Sequence, residues 1–255
     1  MSAKMMTVPV ISQECLSEGV YSMWLAVGDM AEEAKPGQFI SVYSKDRSRV
    51  LPRPISICEV DAENGRLRIV YRVVGAGTDE FSKLAAGDDI RVMGPLGNGF
   101  FLKDKKAILV AGGIGIPPML ELAKQLNCEK TIVVGYRDNQ TFLKEDLEQY
   151  GTVVIATEDG SVGTKGNVID AIKAEGVTGD VIYSCGPTPM LRALKGYASD
   201  QQIECQISLE EKMACGIGAC LACVCKSKDA DHHTRVHNKR ICKDGPVFYA
   251  EEVEL

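Results

Sequence analysis

The residues with the clearest chemical role are cysteines crowded near the end of the chain. Cys215, Cys220 and Cys223 follow the spacing Cys-x4-Cys-x2-Cys, with Gly216 and Gly218 inside the first interval. This spacing, with a later cysteine, is typical of plant-type [2Fe–2S] clusters. Glycines permit the positive φ angles with which a backbone wraps closely around such a cluster. The segment therefore predicts an iron–sulfur site.

The fourth ligand has two candidates. Cys225 follows Cys223 after one residue, whereas Cys242 returns after a long polar segment. We expect Cys242 to complete the ligand set and Cys225 to be a bystander.

A zinc site is the main alternative for this segment. Cys-x2-Cys combined with a further cysteine or histidine suits tetrahedral zinc. The Cys-x4-Cys arm has no role in a standard zinc pair, and the histidines stand in a polar, loop-like run, so we favour iron and sulfide. The three histidines of the chain are His232, His233 and His237.

A glycine-rich turn in "ILVAGGIGIPPM" indicates nucleotide binding. Gly112, Gly113 and Gly115 follow an apolar strand and open a helix, whose N-terminal amides attract a pyrophosphate. The spacing Gly-x-Gly-x-x-Pro departs only at its last position from the dinucleotide fingerprint Gly-x-Gly-x-x-Gly.

Cys185, Gly186 and Pro187 form a second strand-to-helix turn. A free cysteine alone is most often a small buried apolar residue. The carboxyl end of a parallel strand is, however, where α/β sheets bind ligands. We therefore expect this turn to contact the same ligand as the first.

The choice between NAD and NADP depends on the charge near the ribose. Acidic side chains bind a ribose 2′-hydroxyl, whereas arginine suits a 2′-phosphate. The sequence offers both, because Arg137 adjoins Asp138 and Glu158 adjoins Asp159. The residues alone leave both cofactors open.

The stretch "LPRPISI" is the main chemical feature of the first hundred residues. Pro52 and Pro54 disturb regular strand pairing around Arg53. We therefore expect the guanidinium of Arg53 to bind a phosphate through two N–H donors, with the Ser56 hydroxyl nearby. An arginine paired on an edge strand is the alternative interpretation. In "VYRVVGAGT", glycines permit close approach of a ligand, and Tyr71 is a candidate to stack or hydrogen-bond with it.

Two different patterns of secondary structure must position these residues. From Val8 to Phe101, short runs rich in Val, Ile and Tyr predict an antiparallel β-barrel. From Lys105, strands alternate with helices, which predicts βαβ units and a mostly parallel, Rossmann-like sheet. We expect three domains, at residues 1–102, 103–204 and 205–255.

Composition narrows the class of protein. A formal net charge of −6 gives no basic field for nucleic acid. The longest uncharged run, "AILVAGGIGIPPML", is too short to span a bilayer, and the N-terminus lacks the apolar core of a signal peptide. Ten cysteines are more typical of thiols and metal ligands in a reducing compartment than of disulfides. We expect a cytoplasmic protein.

The order of the motifs resembles the ferredoxin–NADP reductase superfamily. Arg-x-x-Ser, a Gly-Thr turn and Gly-Pro-x-Gly are followed by Gly-x-Gly-x-x-Pro and Cys-Gly-Pro. The resemblance implies a six-stranded barrel that binds FAD and a second domain that places Cys185 near a nicotinamide. Ile55 stands where that superfamily usually has tyrosine. The implied flavin contacts are Arg53, Pro54, Ile55, Ser56, Val70, Tyr71, Arg72, Gly77 and Thr78.

The whole chain is similar to the electron-transfer subunits of type B dihydroorotate dehydrogenases. The match rests on "EEKMACGIGACLACVCK", "ICKDGPVF", "RPIS" and "CGPTPM". It implies an FMN-containing catalytic partner, in a heterotetramer with two copies of each subunit. Electrons would pass from that FMN through [2Fe–2S] and FAD to NAD+, in pyrimidine biosynthesis. Hydride transfer needs no acid–base group, so we expect no obligatory catalytic residue.

Two other functions remain open from the sequence. The first is an FAD/[2Fe–2S] reductase subunit of a hydrogenase or of a ferredoxin:NAD(P) system. The second is a zinc-bearing binding module without redox chemistry. The Cys-Gly-Ile-Gly-Ala-Cys segment with its Asp-Gly-Pro tail favours the dihydroorotate dehydrogenase subunit over both. With that resemblance, we favour NAD as the nucleotide.

Overall fold

The computed structural model of the chain describes residues 3–230 and 236–255. No helix in these residues combines the length and apolar character needed to cross a membrane.

The first part of the chain is an antiparallel β-barrel with two short helices in its connections. Its elements are β1 (Lys4–Ser17), β2 (Val20–Ala26), α1 (Met30–Glu33), β3 (Phe39–Tyr43), β4 (Arg53–Asp61), β5 (Arg66–Arg72), α2 (Ala76–Phe81) and β6 (Asp89–Leu96). The barrel closes in the order β1-β2-β5-β4-β3-β6. The prediction of a six-stranded antiparallel barrel is confirmed.

The two faces of β3 serve different parts of the molecule, because side chains alternate along a strand. Ile40 and Val42 are fully buried in the barrel core. Phe39 and Tyr43 instead pack against a second core, which includes the sheet of the next domain and Cys242. This outer face of β3 therefore connects the barrel to the rest of the chain.

The second domain alternates strands and helices. Its elements are β7 (Ala107–Gly112), a 3₁₀ turn (Gly113–Gly115), α3 (Pro117–Gln125), β8 (Lys130–Tyr136), α4 (Lys144–Glu148), β9 (Thr152–Thr157), β10 (Thr164–Lys165), α5 (Val168–Ala174), β11 (Val181–Cys185), α6 (Thr188–Gln201) and β12 (Glu204–Ser208). These strands pair in parallel in the order β10-β9-β8-β7-β11-β12. The predicted parallel sheet is confirmed.

The C-terminal segment returns to the same sheet. It contains the hairpin strands β13 (Val224–Lys226) and β14 (Asn238–Arg240), and then β15 (Val247–Tyr249). Strand β15 runs antiparallel to β12 and extends the sheet to seven strands. The expected domain limit between residues 204 and 205 falls inside β12. The three domain limits stay a prediction.

Charged groups join the barrel to the second domain, and two of them, Glu121 and Arg68, are buried. The Glu121 carboxylate, which is 2% exposed, accepts a hydrogen bond of 2.7 Å from the backbone N–H of Val60 at the end of β4. Lys124 donates to the carbonyl of the same Val60 at 2.6 Å. Arg68 of β5 pairs with Asp146 of α4 at 3.1 Å. These contacts fix the orientation in which the two domains face each other.

Candidate functional site

The predicted phosphate contacts of the barrel lie together. Arg53 is the first residue of β4, and its guanidinium lies against the α-carbon of Gly77, where any side chain would collide with it. Thr78 is the third residue of α2, and its hydroxyl accepts hydrogen bonds from the N–H groups of Val74 at 3.0 Å and Gly75 at 3.3 Å. The structure thus brings a planar cation to a glycine at a helix start, an arrangement suited to a phosphate.

The remaining predicted residues of β4 lie in the strand beyond Arg53. Pro54, Ile55 and Ser56 are all partly buried, and Pro54 pairs with Ser41 of β3. Ile55 packs against the barrel core.

The three predicted flavin contacts at the end of β5 face different surroundings. The Tyr71 ring is buried in the barrel core, where its hydroxyl donates to Gln13 at 2.8 Å. This burial and the bond to Gln13 give no support to a ring that stacks or hydrogen-bonds with a ligand, and contact between Tyr71 and the flavin stays a prediction. Val70 packs against the core of the second domain, and Arg72 is exposed at the domain boundary.

The two glycine-containing turns of the second domain lie against each other. A side chain at Gly115 would collide with the carbonyl of Cys185. A Cβ at Gly112 would lie 2.9 Å from the sulfur of Met190 and 3.4 Å from the ring of Pro187. The obstacle at Gly115 is backbone, so only a residue without a Cβ permits this contact, whereas at Gly112 the nearest atoms belong to the side chains of Met190 and Pro187.

The turns form part of a cleft of about 580 Å³ between the two domains. Gly113, with φ 55°, lines the cleft from the first turn, and Pro187 lines it from the second. The barrel contributes Arg72. The volume lies in the range of small-molecule and cofactor sites, which is roughly 300–1,000 Å³.

The acidic residues considered for ribose binding differ in the hydrogen bonds that their carboxylates already accept. Asp159 accepts bonds from the N–H and hydroxyl of Ser161, at 2.9 Å and 2.7 Å, and so stabilises its own turn. Asp138 lines the cleft but accepts a bond of 2.9 Å from the N–H of Gln140. Glu158 also lines the cleft, and its carboxylate accepts no hydrogen bond from the described residues. Glu158 is therefore the carboxylate with the most capacity to bind a ribose.

The Cys185 thiol is fully buried behind these turns. Burial raises its pKa well above the usual range for cysteine. The thiol therefore stays protonated and is not an activated nucleophile.

The predicted cluster cysteines are linked by backbone donors. The N–H groups of Ile217 and Ala219 donate to the Cys215 sulfur at 3.5 Å and 3.3 Å. The N–H of Gly218 donates to the Cys242 sulfur at 3.1 Å, although the two residues lie 24 positions apart. Cys242 in turn donates its own N–H to the Cys223 sulfur at 3.4 Å.

The glycines of this loop adopt the conformation that the spacing predicted. Gly216 has φ 71° and Gly218 has φ 84°, and both values belong to the left-handed region. A Cβ at Gly218 would also lie 2.7 Å from the Cβ of Lys243. The prediction of positive φ at both glycines is confirmed.

The thiols of the loop have different proton affinities. Burial raises the pKa of Cys215, but N–H donors at Ile217, Cys220 and Ala219 outweigh burial and lower it to about 6. Burial and the contact with the Cys223 thiol raise the pKa of Cys242 to about 12. Cys220, which is exposed, contacts Cys215. Cys215 with Cys220 and Cys242 with Cys223 form two thiol pairs, and with their N–H donors they form a donor set that fits an iron–sulfur cluster.

Cys225 occupies a different position from Cys242. It lies in β13 opposite Lys239, and its partly buried side chain packs against the apolar core. Side chains two residues apart in a strand point to the same side. The alternation of side chains along a strand therefore does not explain why Cys223 is a proposed ligand and Cys225 is not. The distinction rests on contacts, because the described N–H···S bonds join Cys242 rather than Cys225 to the cluster loop.

The histidines of the zinc alternative give no site in the described part of the chain. His237 is described, and its Nδ1 lies 2.8 Å from the carbonyl oxygen of Lys228. His232 and His233 fall outside the described residues. Within residues 3–230 and 236–255, no three His, Cys, Asp or Glu side chains are arranged to hold a single metal ion.

Asn98 has a role that the sequence pattern did not reveal. In sequence, "GPLGNGF" is a glycine-rich connection just before the change of domain, but Asn98 donates to the carbonyls of Lys243 at 3.2 Å and Asp244 at 3.1 Å. Its N–H also donates to Gly245 at 2.6 Å. The loop therefore holds the segment that carries Cys242. An asparagine between two glycines was the available signal, since such residues often bond to backbone in turns.

Comparison with known protein families supports the barrel, the nucleotide-binding domain and the cluster-binding segment. Residues 7–101 match the oxidoreductase FAD-binding domain, and residues 109–196 match the oxidoreductase NAD-binding domain. Residues 210–254 match the iron–sulfur cluster binding domain of dihydroorotate dehydrogenase B. Fold and site thus define an electron-transferring oxidoreductase chain with FAD-, NAD- and iron–sulfur cluster-binding domains.

Curated relatives narrow this class. The dihydroorotate dehydrogenase B (NAD+) electron transfer subunit of Listeria welshimeri is 44% identical over 254 residues, which cover 96% of this chain and 97% of the relative. The subunit of that name from Fusobacterium nucleatum is 44% identical over 94% of this chain and 95% of its own length. The one from Geobacillus kaustophilus is 42% identical over 96% of this chain and 97% of its own length. The chain belongs to the family of dihydroorotate dehydrogenase B electron transfer subunits.

Solved structures share the fold. An NADH-dependent reduced ferredoxin–NADP oxidoreductase matches with a TM-score of 0.87 and 30% identity, over 97% of this chain and 89% of its own. A ferredoxin reductase of carbazole 1,9a-dioxygenase matches with a TM-score of 0.65 and 18% identity, over 80% of this chain and 67% of its own. The second match shows similarity of fold alone.

Proposed function

We propose that the chain carries electrons between an iron–sulfur cluster, FAD and NAD+ as the electron transfer subunit of a dihydroorotate dehydrogenase. The observation that carries the proposal is the continuity of the three candidate sites. The cluster loop packs on β3, and β3 pairs with β4, which holds the flavin motif. The barrel and the nucleotide turns then share one cleft.

The order of carriers follows from their chemistry. Nicotinamide exchanges hydride and an iron–sulfur cluster exchanges single electrons, and FAD supplies the conversion between the two. The residues of the chain bind and orient these groups. No side chain has to move a proton, and the buried thiol of Cys185 is proposed only as a neighbour of the nicotinamide.

Named residues would hold each group. Arg53, with Gly77 and Thr78, is proposed for the FAD phosphates, because its guanidinium meets the start of α2. The glycine turns at residues 112–115 and 185–187 are proposed for NAD, with Glu158 accepting from a ribose hydroxyl. The proposed [2Fe–2S] ligands are Cys215, Cys220, Cys223 and Cys242.

The proposed partner is an FMN-containing subunit that oxidises dihydroorotate to orotate in pyrimidine biosynthesis. Two copies of each subunit would form a heterotetramer, and a cytoplasmic location suits ten free thiols. No orotate site is proposed in this chain.

The test uses the purified chain with and without that partner. We expect flavin absorption, an iron–sulfur shoulder and an EPR signal after reduction. Orotate formation coupled to NAD+ should require both chains. A colourless protein that contains zinc would contradict the proposal.

A reductase subunit for a ferredoxin system is the second candidate. The observation that favours it is the TM-score of 0.87 with an NADH-dependent reduced ferredoxin–NADP oxidoreductase. Activity with reduced ferredoxin, but none with a dihydroorotate-oxidising partner, would select this candidate instead.

A further inference from the structure

Ser41 is a buried serine whose hydroxyl has no partner in the described part of the chain. It lies in β3, is 0% exposed, and its Oγ has no hydrogen-bond partner among the described residues. Removing a hydroxyl from water without replacing its hydrogen bond is unfavourable. The Ser41 hydroxyl is therefore available to an acceptor that belongs to a bound group, if such a group lies next to it.

The hydroxyl faces the proposed cluster loop. A Cβ built at Gly216 would lie 3.0 Å from Ser41 Oγ, whereas the apolar neighbours Leu96 and Met93 lie at 3.4 Å and 3.6 Å. Gly216 directly follows Cys215. Of these three neighbouring atoms of the barrel, the Ser41 hydroxyl is the closest to the position beside Gly216 and the polar one.

A second residue of β3 faces the same way. Tyr43 lies two positions beyond Ser41 on the outer face of β3, where it packs against the core that includes Cys242. The outer face of β3 therefore lies against the core that contains a proposed cluster ligand.

We propose that Ser41 is a positioning residue that donates its hydroxyl hydrogen to a sulfur of the bound cluster, either a sulfide or the Cys215 thiolate. The inference rests on the proposed cluster site. It adds a donor from the barrel to the backbone donors that the loop itself supplies. Hydrogen bonds to the sulfurs set the reduction potential of such clusters, because they stabilise the more negative, reduced state.

The experiment measures the cluster potential in the FAD- and cluster-loaded chain. We expect Ser41→Ala to lower the ratio of reduced to oxidised cluster at a fixed potential by about three- to tenfold, which is about 28 to 59 mV for a one-electron couple. The flavin potential, followed optically, should stay unchanged. EPR of the reduced cluster reports on the loaded fraction, so partial loading does not prevent the measurement.

Ser184→Ala is the matched control. Ser184 in β11 is also 0% exposed and its hydroxyl also lacks a described partner, but it lies between Val110 and Ile207 in the parallel sheet. Its substitution should leave the cluster potential unchanged. Ser41→Thr keeps the hydroxyl and should stay within about twofold of the wild-type ratio, since the donor is retained.

Three results would overturn the inference. One is an unchanged cluster potential in Ser41→Ala. Another is a shift of the flavin potential alone, which would assign the hydroxyl to FAD. The third is an equal shift in the Thr variant, which would assign the effect to packing. A wild-type chain without any cluster signal would instead contradict the proposed function.

Discussion

At the scale of single residues, Cys242 and Cys225 differ in what their sulfurs contact. The Cys242 sulfur accepts a bond from Gly218 in the cluster loop, whereas Cys225 packs in a hairpin against the core. We expect Cys242→Ser to lose the cluster and Cys225→Ser to keep it, because only the first removes a proposed ligand. Iron and acid-labile sulfide per chain measure the outcome. Normal iron content in Cys242→Ser would show that the fourth ligand lies elsewhere.

Glu158 gives a second prediction at the same scale. Its carboxylate lines the nucleotide cleft and has no described hydrogen bond, so it is available to a ribose hydroxyl and repels a 2′-phosphate. We expect Glu158→Gln to reduce the preference for NADH over NADPH, measured as kcat/KM for dye reduction, by about tenfold.

The neighbouring Asp159→Asn is the control for that prediction. It removes the same charge, but Asp159 serves the turn at Ser161. An equal change in both variants would point to a general effect of charge.

At the scale of elements, helix α3 is joined to the end of β4 through Glu121. Glu121→Ala would leave the buried N–H of Val60 without an acceptor, and we expect a loss of about 1–3 kcal/mol in the free energy of unfolding. Glu121→Gln keeps an acceptor and should lose less. Denaturant unfolding of the FAD-loaded chain measures both variants, and equal losses would contradict the role of the acceptor.

The same carboxylate predicts a pH dependence. Burial raises the pKa of Glu121 above 4.5, with bonds from Gln125 and Val60 opposing the rise. The folded chain thus binds this proton more tightly than the unfolded chain does. Its contribution to stability is complete below pH 4.5 and is lost as pH rises through the raised folded value. Unfolding measured across this window should show the trend in the wild type and not in Glu121→Gln.

At the scale of the whole molecule, the route from nicotinamide to flavin does not pass through the cluster. We expect cluster-free Cys242→Ser that retains FAD to reduce a soluble dye with NADH at close to the wild-type rate. Coupled orotate formation with the partner should fall to background. A collapse of dye reduction with FAD still bound would contradict the proposed order of carriers.

The elements of this fold were predictable because their signals are local. Short β-rich runs marked the barrel, strand–helix alternation marked the parallel sheet, and the cysteine spacing marked the cluster loop. Which distant segments contact each other is not encoded in such local patterns. Asn98 reaches Lys243 across 145 positions, and the Ser41 hydroxyl meets Gly216 from another domain. The inward direction of Tyr71 depends on strand register in the closed barrel, which its motif does not encode.

The return of β15 to β12 has a consequence for how the cluster loop is ordered. Ser208 pairs with Val247, so residues 209–246 leave the sheet and come back to neighbouring positions. The pairing of β15 with β12 closes this loop. Contacts within the sheet therefore offset the loss of chain entropy that opposes bringing Cys215 and Cys242 together. The thiols are preorganised by a strand that contains none of them. Removal of residues 247–255 should weaken iron retention although every cysteine remains, and unchanged iron content in this truncation would show that the loop closes without β15.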